Sequence, residues 1–390
     1  MTLFSNYNLN EVLNKSLKNI NFTNPTPIQE KSIPLILQGK DILGSAQTGT
    51  GKTAAFCIPI LELLMKSPRG SLLIMIPTRE LAKQVLDVIN SLLGFKSSIN
   101  TATLIGGESM SKQLSELKKR PRIYVGTPGR INDHLQRGTL NLHDTKYLVL
   151  DETDRMLDMG FEVQINKIIK FLPVSKQVLM FSATIPNNII KLSSKYLNDP
   201  VRISVGESNT VAENIKQEII ELKSDEKLDE LINQITNRNG SILIFVKTKY
   251  GTEKLSKALS RSKIKSFPLH GGLRQSKRNT IMKNFRDMKF RILIATDVAA
   301  RGIDVPHIEH VINYDLPQMA EDFIHRIGRT ARAGSKGIAL SFVTKGDFAK
   351  WKEIQKILNP EQNIKNQHKS KNKSFKKSNN RKREDNKRPT

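Results

Sequence analysis

The sequence predicts an α/β protein. It reads as two tandem domains, each a mainly parallel sheet with helices on both faces, followed by a disordered basic C-terminal tail. Three observations predict this. The chain has 390 residues, more than one ordinary domain holds. Short apolar, β-branched runs alternate with stretches of helical spacing, the pattern of a parallel sheet covered on both sides. That alternation runs through the first half, breaks, and starts again.

The first series of expected buried strands is Asp41–Ser45, Leu72–Ile76, Thr101–Ile105, Arg122–Val125, Tyr147–Leu150 and Gln177–Phe181. Each leads through a polar turn into a helical stretch, such as Glu80–Leu93. Val205–Glu213 carries Gly, Ser and Asn with no apolar period, and is the expected linker. The second series is Ser241–Val246, Lys265–Pro268, Ile292–Ala295, His310–Asn313 and Gly337–Val343. The expected limits are residues 1–205 for the first domain, 206–213 for the linker, 214–360 for the second domain and 361–390 for the tail. Domains of about 205 and 145 residues are of ordinary size. No short-period repeat is visible, which argues against a solenoid.

Composition narrows the function. Hydrophobic residues make up 38% and charged residues 26%, enough apolar matter for real cores. Lys plus Arg number 63 against 37 Asp plus Glu, a net charge of +26. Such an excess calls for a polyanionic partner, either nucleic acid or an anionic membrane surface. No apolar run of about 18 residues offers a spanning helix, and the N-terminal stretch lacks the pattern of a secretory signal. One cysteine, Cys57, excludes an intramolecular disulfide and any cysteine-based zinc site. It lies in an apolar segment and reads as a small core residue. A cytoplasmic protein with no membrane attachment is the simplest account. The tail, Glu361–Thr390, holds 11 Lys/Arg and 3 Asp/Glu, so it carries +8 of the charge. It is too poor in apolar residues to order itself.

One short motif brings chemistry. Ala46-Gln47-Thr48-Gly49-Thr50-Gly51-Lys52-Thr53 follows a strand and precedes an apolar helix, the context of a phosphate-binding loop. Glycines let backbone N–H groups turn onto phosphate oxygens, and the helix N-terminus adds positive potential. Gly49, Thr50 and Gly51 would line that turn. Lys52 can reach the β- and γ-phosphates, and the Thr53 hydroxyl can ligate Mg²⁺. Ala46 stands where the strict pattern has glycine. The loop needs a carboxylate at another strand end, and the strand Tyr147–Leu150 runs into Asp151-Glu152-Thr153-Asp154. Asp151 would hold the metal. Glu152 can orient or deprotonate the attacking water. Adjacent carboxylates are costly unless a cation sits between them.

With these motifs placed, the sequence resembles a DEAD-box RNA helicase of superfamily 2, over roughly Phe4 to Val343. Its compact core and short basic tail resemble those of the bacterial RhlE-like group. The resemblance implies that each domain is RecA-like. Phe22-Thr23-Asn24-Pro25-Thr26-Pro27-Ile28-Gln29 resembles the adenine-reading Q motif, with Phe4 as the isolated upstream aromatic. It implies that Gln29 bonds adenine and Phe22 packs beside it. Pro77-Thr78-Arg79-Glu80-Leu81-Ala82, Gly106-Gly107 and Thr127-Pro128-Gly129-Arg130 resemble the first-domain RNA motifs, implying contacts from Thr78, Arg79, Gly107, Thr127 and Arg130. Ser182-Ala183-Thr184 resembles the motif that couples nucleotide state to closure, with Ser182 and Thr184 as its polar members. In the second domain, Thr248, His270-Gly271-Gly272, Gln275 and Arg278 resemble RNA-facing elements. Ala295–Asp304 is similar to motif V, implying Thr296 on RNA and Asp304 on the ATP ribose. His325–Arg332 is similar to motif VI, with His325 in coupling and Arg329 and Arg332 as arginine fingers. Spaced three apart, the two arginines would share one face of a helix.

The resemblance implies ATP-dependent local separation of RNA strands. Contacts would be mainly to sugar and phosphate, hence independent of sequence. ATP- and RNA-driven closure of the two domains would complete the site. Ribosome-assembly or RNA-turnover proteins are the partners it suggests. Two alternatives stay open: an ATP-gated RNA clamp without useful unwinding, and a DNA helicase of the same superfamily. Three positions depart from the family pattern. Thr153 stands for alanine in motif II, where its hydroxyl could bond toward Ser182-Ala183-Thr184 or strain the packing. Ala331 stands for glycine in motif VI. Asn21 stands for glycine before Phe22, at a turn where Asn tolerates positive φ.

Overall fold

The computed structural model describes residues 3–46, 49–94, 97–185, 187–205, 214–300, 305, 307–331 and 336–358. The chain forms two units, each built on its own sheet. The first unit opens with α1 (Glu11–Asn19), α2 (Pro27–Leu37), β1 (Ile42–Ala46), α3 (Lys52–Lys66), β2 (Ser71–Met75) and α4 (Arg79–Leu93). It continues through β3 (Thr101–Leu104), α5 (Met110–Lys118), β4 (Ile123–Gly126), α6 (Pro128–Gln136) and β5 (Thr145–Leu150). It closes with α7 (Thr153–Asp158), α8 (Glu162–Ile169), β6 (Gln177–Ser182), α9 (Asn187–Tyr196) and β7 (Val201–Val205). The strands lie in the order β3-β4-β2-β5-β6-β1-β7, all pairs parallel.

Alternation along each strand builds two cores. Ile42, Leu72 and Ile74 enter one, and Leu43, Leu73 and Met75 enter the other. Gly44 is dictated by packing, since a Cβ there would lie 2.6 Å from the Phe181 ring. That ring in turn packs on Phe56 of α3. The site-bearing helix is thus seated directly on the strands that flank it. Cys57 is buried on the same helix, and burial pushes its thiol well above the usual range, as for an inert core residue.

The second half of the chain runs β8 (Ile215–Glu221), α10 (Lys227–Thr236), β9 (Ser241–Phe245), α11 (Lys249–Arg261), β10 (Phe267–Leu269) and α12 (Gln275–Arg286). It ends with β11 (Ile292–Ala295), α13 (Asp297–Ala300), β12 (Ile308–Asn313), α14 (Ala320–Ile327), β13 (Gly337–Val343) and α15 (Phe348–Leu358). Its order is β10-β11-β9-β12-β13-β8, again parallel throughout. The two units share a local device. Arg122, just before β4, donates to the carbonyls of Leu64 in the last turn of α3 and of Ser67, Arg69 and Gly70 beyond it. Arg291, just before β11, donates to those of Ile235 in the last turn of α10 and of Arg238 and Gly240 beyond it. Each guanidinium satisfies carbonyls that a helix end leaves open.

The structure corrects several expectations. Two strands went unforeseen, β7 and β8. Val205, expected in the linker, is the last residue of β7 and pairs with Ala46. The rest of the linker and the tail lie outside the described residues. The strand expected at Lys265–Pro268 begins two residues later, at Phe267. Pro268 is tolerated there because β10 is an edge strand. Arg329 is not on a helix. α14 ends at Ile327 with Gly328 as its cap, so the shared-face argument for Arg329 and Arg332 fails. Among the described residues no helix is long and apolar enough to cross a membrane.

Candidate functional site

In the first unit the chemistry gathers at the C-terminal ends of β1 and β5, strands separated by β6. Crevices outside such strand ends are where parallel sheets bind ligands. Gln47 and Thr48 lie outside the described residues. Gly49 and Gly51 both take left-handed backbone, with φ of 87° and 91°, which explains why glycine serves there. Gly51 caps α3, so Lys52 and Thr53 are its first two residues. A Cβ on Gly51 would lie 2.4 Å from Gln29 Nε2. That close approach is used: Gln29 Nε2 donates to Gly51 O at 3.0 Å, while Gln29 Oε1 accepts from Thr26 N at 2.9 Å. Gln29 therefore closes the capping box of α2 and touches the phosphate-type loop at once. Phe22 is stacked on the buried Phe4 ring at 6.2 Å. Asn21 takes φ 57°, the left-handed turn expected of it.

Lys52 is buried, and its Nζ lies 3.8 Å from Glu152 Oε1. It makes no hydrogen bond among the described residues. Asp151 follows β5 directly, and its Oδ1 accepts from Glu152 N at 2.9 Å. Burial raises the Asp151 carboxyl to about 6, although the Lys52 ammonium pulls the other way. Glu152 is buried in left-handed backbone, φ 53° and ψ 48°. Its second oxygen lies 3.1 Å from Nε of the fully buried Arg155. The acidic pair is thus flanked by two cations, Lys52 and Arg155, where the sequence reading called for a cation without naming one.

The rest of the acidic turn reaches β6. The Thr153 hydroxyl lies 3.1 Å from both Leu150 O and Phe181 O. Asp154, which sequence reasoning had not singled out, makes more contacts. Its Oδ2 accepts from Ala183 N, Thr184 N and Thr184 Oγ1 at 3.1 to 3.3 Å. Its own N–H donates to Ser182 Oγ. The acidic turn and Ser182-Ala183-Thr184 are therefore held together by a carboxylate. No spacing rule could show this, since the partners are 28 to 30 residues apart.

A second group of loops lies at β2, β3 and β4. Thr78 caps α4 by accepting from Leu81 N, which makes Arg79 the first residue of that helix. Gly107 has φ 76°, and a Cβ there would be 2.0 Å from Arg79 Nη1. Thr127 precedes α6, and Arg130 stands in its first turn with Nη1 3.4 Å from Glu108 O. Lys83 pairs with Glu108 at 2.6 Å. Behind them His134, fully buried, bridges Gln113 Oε1 and Thr139 Oγ1. Gln113 Nε2 donates on to Ile105 O at 3.0 Å. Thr78, Arg79, Gly107, Thr127 and Arg130 thus lie on the loops and helix N-termini that follow adjacent strands.

In the second unit Thr248 caps α11 and accepts from Gly251 N. His270 Nδ1 accepts from Gly272 N, so its Nε2 carries the proton that faces Glu253 at 2.9 Å. Arg278 is on α12. Thr296 follows β11, and its carbonyl accepts from the backbone N–H groups of Ala299 and Ala300 at the end of α13. Asp297 takes two bonds from Arg326, at 2.6 and 2.7 Å. Arg326 also donates to Asn313 Oδ1 and Asp315 O and lies over the Phe245 ring. This buried guanidinium ties the Thr296 loop to α14, and sequence reasoning assigned it no role. His325 Nδ1 lies 3.9 Å from Asp322. Arg329 is buried, its Nε donating to His325 O. Ala331 takes φ 55°, the left-handed region for which glycine is the usual residue. Asp304 and Arg332 lie outside the described residues.

Comparison with known proteins decides the family. The DEAD/DEAH box helicase model matches residues 26–192, and the helicase conserved C-terminal domain matches residues 223–334. The chain is 40% identical over 358 residues to a DEAD-box ATP-dependent RNA helicase CshA of Geobacillus kaustophilus, covering 91% of this chain and 76% of that protein. The chain belongs to the DEAD-box family of ATP-dependent RNA helicases. It is 43% identical over 345 residues to the ATP-dependent RNA helicase CshA of Listeria monocytogenes. That match covers 88% of this chain and 66% of the Listeria protein, so this DEAD-box chain spans about two thirds of that relative. Among solved structures it is similar to Saccharomyces cerevisiae Dbp5 bound to RNA and ADP BeF3, with a TM-score of 0.82 at 32% identity, over 92% of this chain and 94% of that one.

Proposed function

We propose that the chain is an RNA-stimulated ATPase that separates short RNA duplexes locally or remodels RNA–protein complexes. The observation that carries this reading is the buried trio Lys52, Asp151 and Glu152 beside the left-handed Gly49–Gly51 turn. In this reading Gly49, Thr50, Gly51 and the start of α3 cradle the ATP phosphates. Lys52 leaves Glu152 for a phosphate. Phe22 and Gln29 receive adenine, Gln29 keeping one N–H and one oxygen lone pair after its contacts to Gly51 and Thr26. Asp304 takes the ribose. Glu152 orients the attacking water and accepts its proton. Arg329 and Arg332 stabilise charge on the γ-phosphate.

Mg²⁺ fits these donors. Asp151 keeps one carboxylate oxygen after accepting from Glu152 N, and Thr53 adds a hydroxyl in the first turn of α3. Hard oxygens with room for water suit that ion. When bound it would neutralise phosphate charge. The RNA backbone is assigned to Thr78, Arg79, Gly107, Thr127, Arg130, Thr248, Arg278 and Thr296. Ser182, Thr184 and His325 are assigned to coupling.

We keep the limits 1–205 and 214–360 for the two domains. A cytoplasmic place, partners in ribosome assembly or RNA turnover, and the RhlE-like subgroup complete the proposal. The subgroup is supported by the basic run 361–390, and the bacterial relatives reported above carry the name CshA. The test is ATP hydrolysis with RNA, DNA or neither, alongside gel-monitored release of a short RNA duplex. RNA should stimulate and DNA should not. E152Q and R329A should each lose about 100-fold or more in turnover. Unchanged turnover in both variants refutes the assignment.

A further inference from the structure

One cation in the acidic turn has no task in this scheme. Arg155 is fully buried on α7, and its one ion-pair partner among the described residues is Glu152. None of its three guanidinium nitrogens makes a hydrogen bond among the described residues. For stability alone this is a poor use of the position. A buried guanidinium loses its hydration, and an apolar side chain of similar volume often serves as well or better.

The geometry of Glu152 gives the arginine a purpose. Left-handed backbone at a glutamate persists only where its surroundings over-determine it. Here the carboxylate is held at both oxygens, Oε1 by Lys52 at 3.8 Å and Oε2 by Arg155 at 3.1 Å. The two cations are not equivalent. Lys52 is a flexible ammonium on the phosphate-type loop, free to turn toward a ligand. Arg155 is walled in, three residues along the same short helix, and cannot follow. Once Lys52 turns away, Arg155 still lies against the carboxylate.

We propose that Arg155 is a positioning residue for hydrolysis: it pins Oε2 of Glu152 so that Oε1 stays aimed at the space Lys52 leaves, where the attacking water is received. The proposal rests on the reading of Glu152 as the water-orienting carboxylate. Arg155 touches neither ATP nor water. It acts by keeping one carboxylate oxygen occupied and the other directed.

The test compares wild type, R155M, R155K and E152Q. RNA-saturated hydrolysis, fluorescent-ADP affinity and thermal melting are read separately. R155M keeps the volume and removes the charge. It should lower kcat by about 30-fold, a share of the 10²–10⁴ that a positioned base supplies, while ATP KM and ADP affinity stay unchanged. R155K restores the charge without the planar fork and should recover part of that loss. A crystal structure of R155M should show the Glu152 carboxylate turned from its wild-type direction. Wild-type kcat in R155M overturns the proposal. So does a loss of kcat that tracks a loss of ADP affinity and is not relieved in R155K. If R155M fails to fold, R155K decides. A clear fall in its kcat at unchanged ADP affinity supports positioning, and an unchanged kcat overturns it. E152Q separates the two layers. Full turnover in E152Q removes the site reading and this proposal together, whereas inactive E152Q beside fully active R155M removes this proposal alone.

Discussion

Replacing Thr153 tests whether its departure from alanine is strain or support. The side chain is fully buried, and its hydroxyl lies 3.1 Å from both Leu150 O and Phe181 O. A hydroxyl has one proton, so the two contacts amount to one shared hydrogen bond. Such a bond contributes about 1 kcal/mol net, and the buried methyl adds about 1 kcal/mol. T153A should therefore destabilise the first unit by about 2 kcal/mol. T153S, which loses only the methyl, should cost about 1 kcal/mol. T153V keeps the shape but sets a methyl against two carbonyls, and should cost at least as much as T153S. For a unit of this size 1 kcal/mol moves the melting temperature by about 2–4 °C. T153A should then melt about 4–8 °C below wild type, with T153S between them. The assay is calorimetry, with nucleotide affinity measured in parallel and expected to hold, because the hydroxyl points to strand ends and not to Asp151. A T153A variant that melts at or above wild type would show that the hydroxyl is strained, and would refute the reasoning.

Two further outcomes are expected. G107A places a Cβ on a residue at φ 76° and 2.0 Å from Arg79 Nη1, so Arg79 must move and the left-handed backbone costs about 1–2 kcal/mol. RNA affinity by fluorescence anisotropy should fall about tenfold or more at unchanged ATP affinity, and an unaltered RNA dissociation constant counts against placing that loop on RNA. Stability should also depend on pH through His134. Burial, and then the Arg130 charge, lower its pKa below the usual 6.5. The unfolded chain therefore takes up the proton first, so stability is full above 6.5 and declines as pH falls from there toward the folded value. His310 is shifted the same way, by burial and then Arg238. Urea midpoints should drop on acidification from pH 7.5 to 5.5, and less steeply in H134Q. An equal slope in H134Q would exclude His134 as a contributor.

What the sequence made legible follows from range. Buried central strands announce themselves as apolar runs, because parallel sheets cover both faces. β7 (VRISV) and β8 (IKQEIIE) escaped notice because each lies at the edge of its sheet, where charged residues interrupt the run. The phosphate-type loop was legible for a local reason: strand, glycines, lysine and helix are contiguous. Arg329 misled because a three-residue spacing implies a shared face only while the helix lasts, and α14 stops at Gly328. Residues that work through distant partners left no signal. Asp154 reaches Thr184, Arg326 reaches Asp297 and His134 reaches Gln113, contacts made by the fold and not by adjacency.

The acidic turn shows why composition could not assign its members. Asp151, Glu152 and Asp154 are alike in charge and nearly adjacent, yet each meets a different environment. Asp151 continues the direction of β5, and only its Oδ1 is engaged by a hydrogen bond among the described residues. The left-handed residue after it reverses the chain, and that reversal turns Glu152 between Lys52 and Arg155. α7 begins at once, which turns Asp154 toward β6, where backbone N–H groups and the Thr184 hydroxyl occupy one of its oxygens. A carboxylate satisfied by three neutral donors is a structural strut. One between two cations is held in direction. One with a single oxygen so engaged, at a strand end, can take a metal. The separation of tasks therefore resides in the backbone turn at Glu152. A substitution that cannot hold left-handed backbone, such as E152P, should displace Asp151 and Asp154 as well as remove the carboxylate between them, whereas E152Q, which keeps the turn, should disturb only its own side chain.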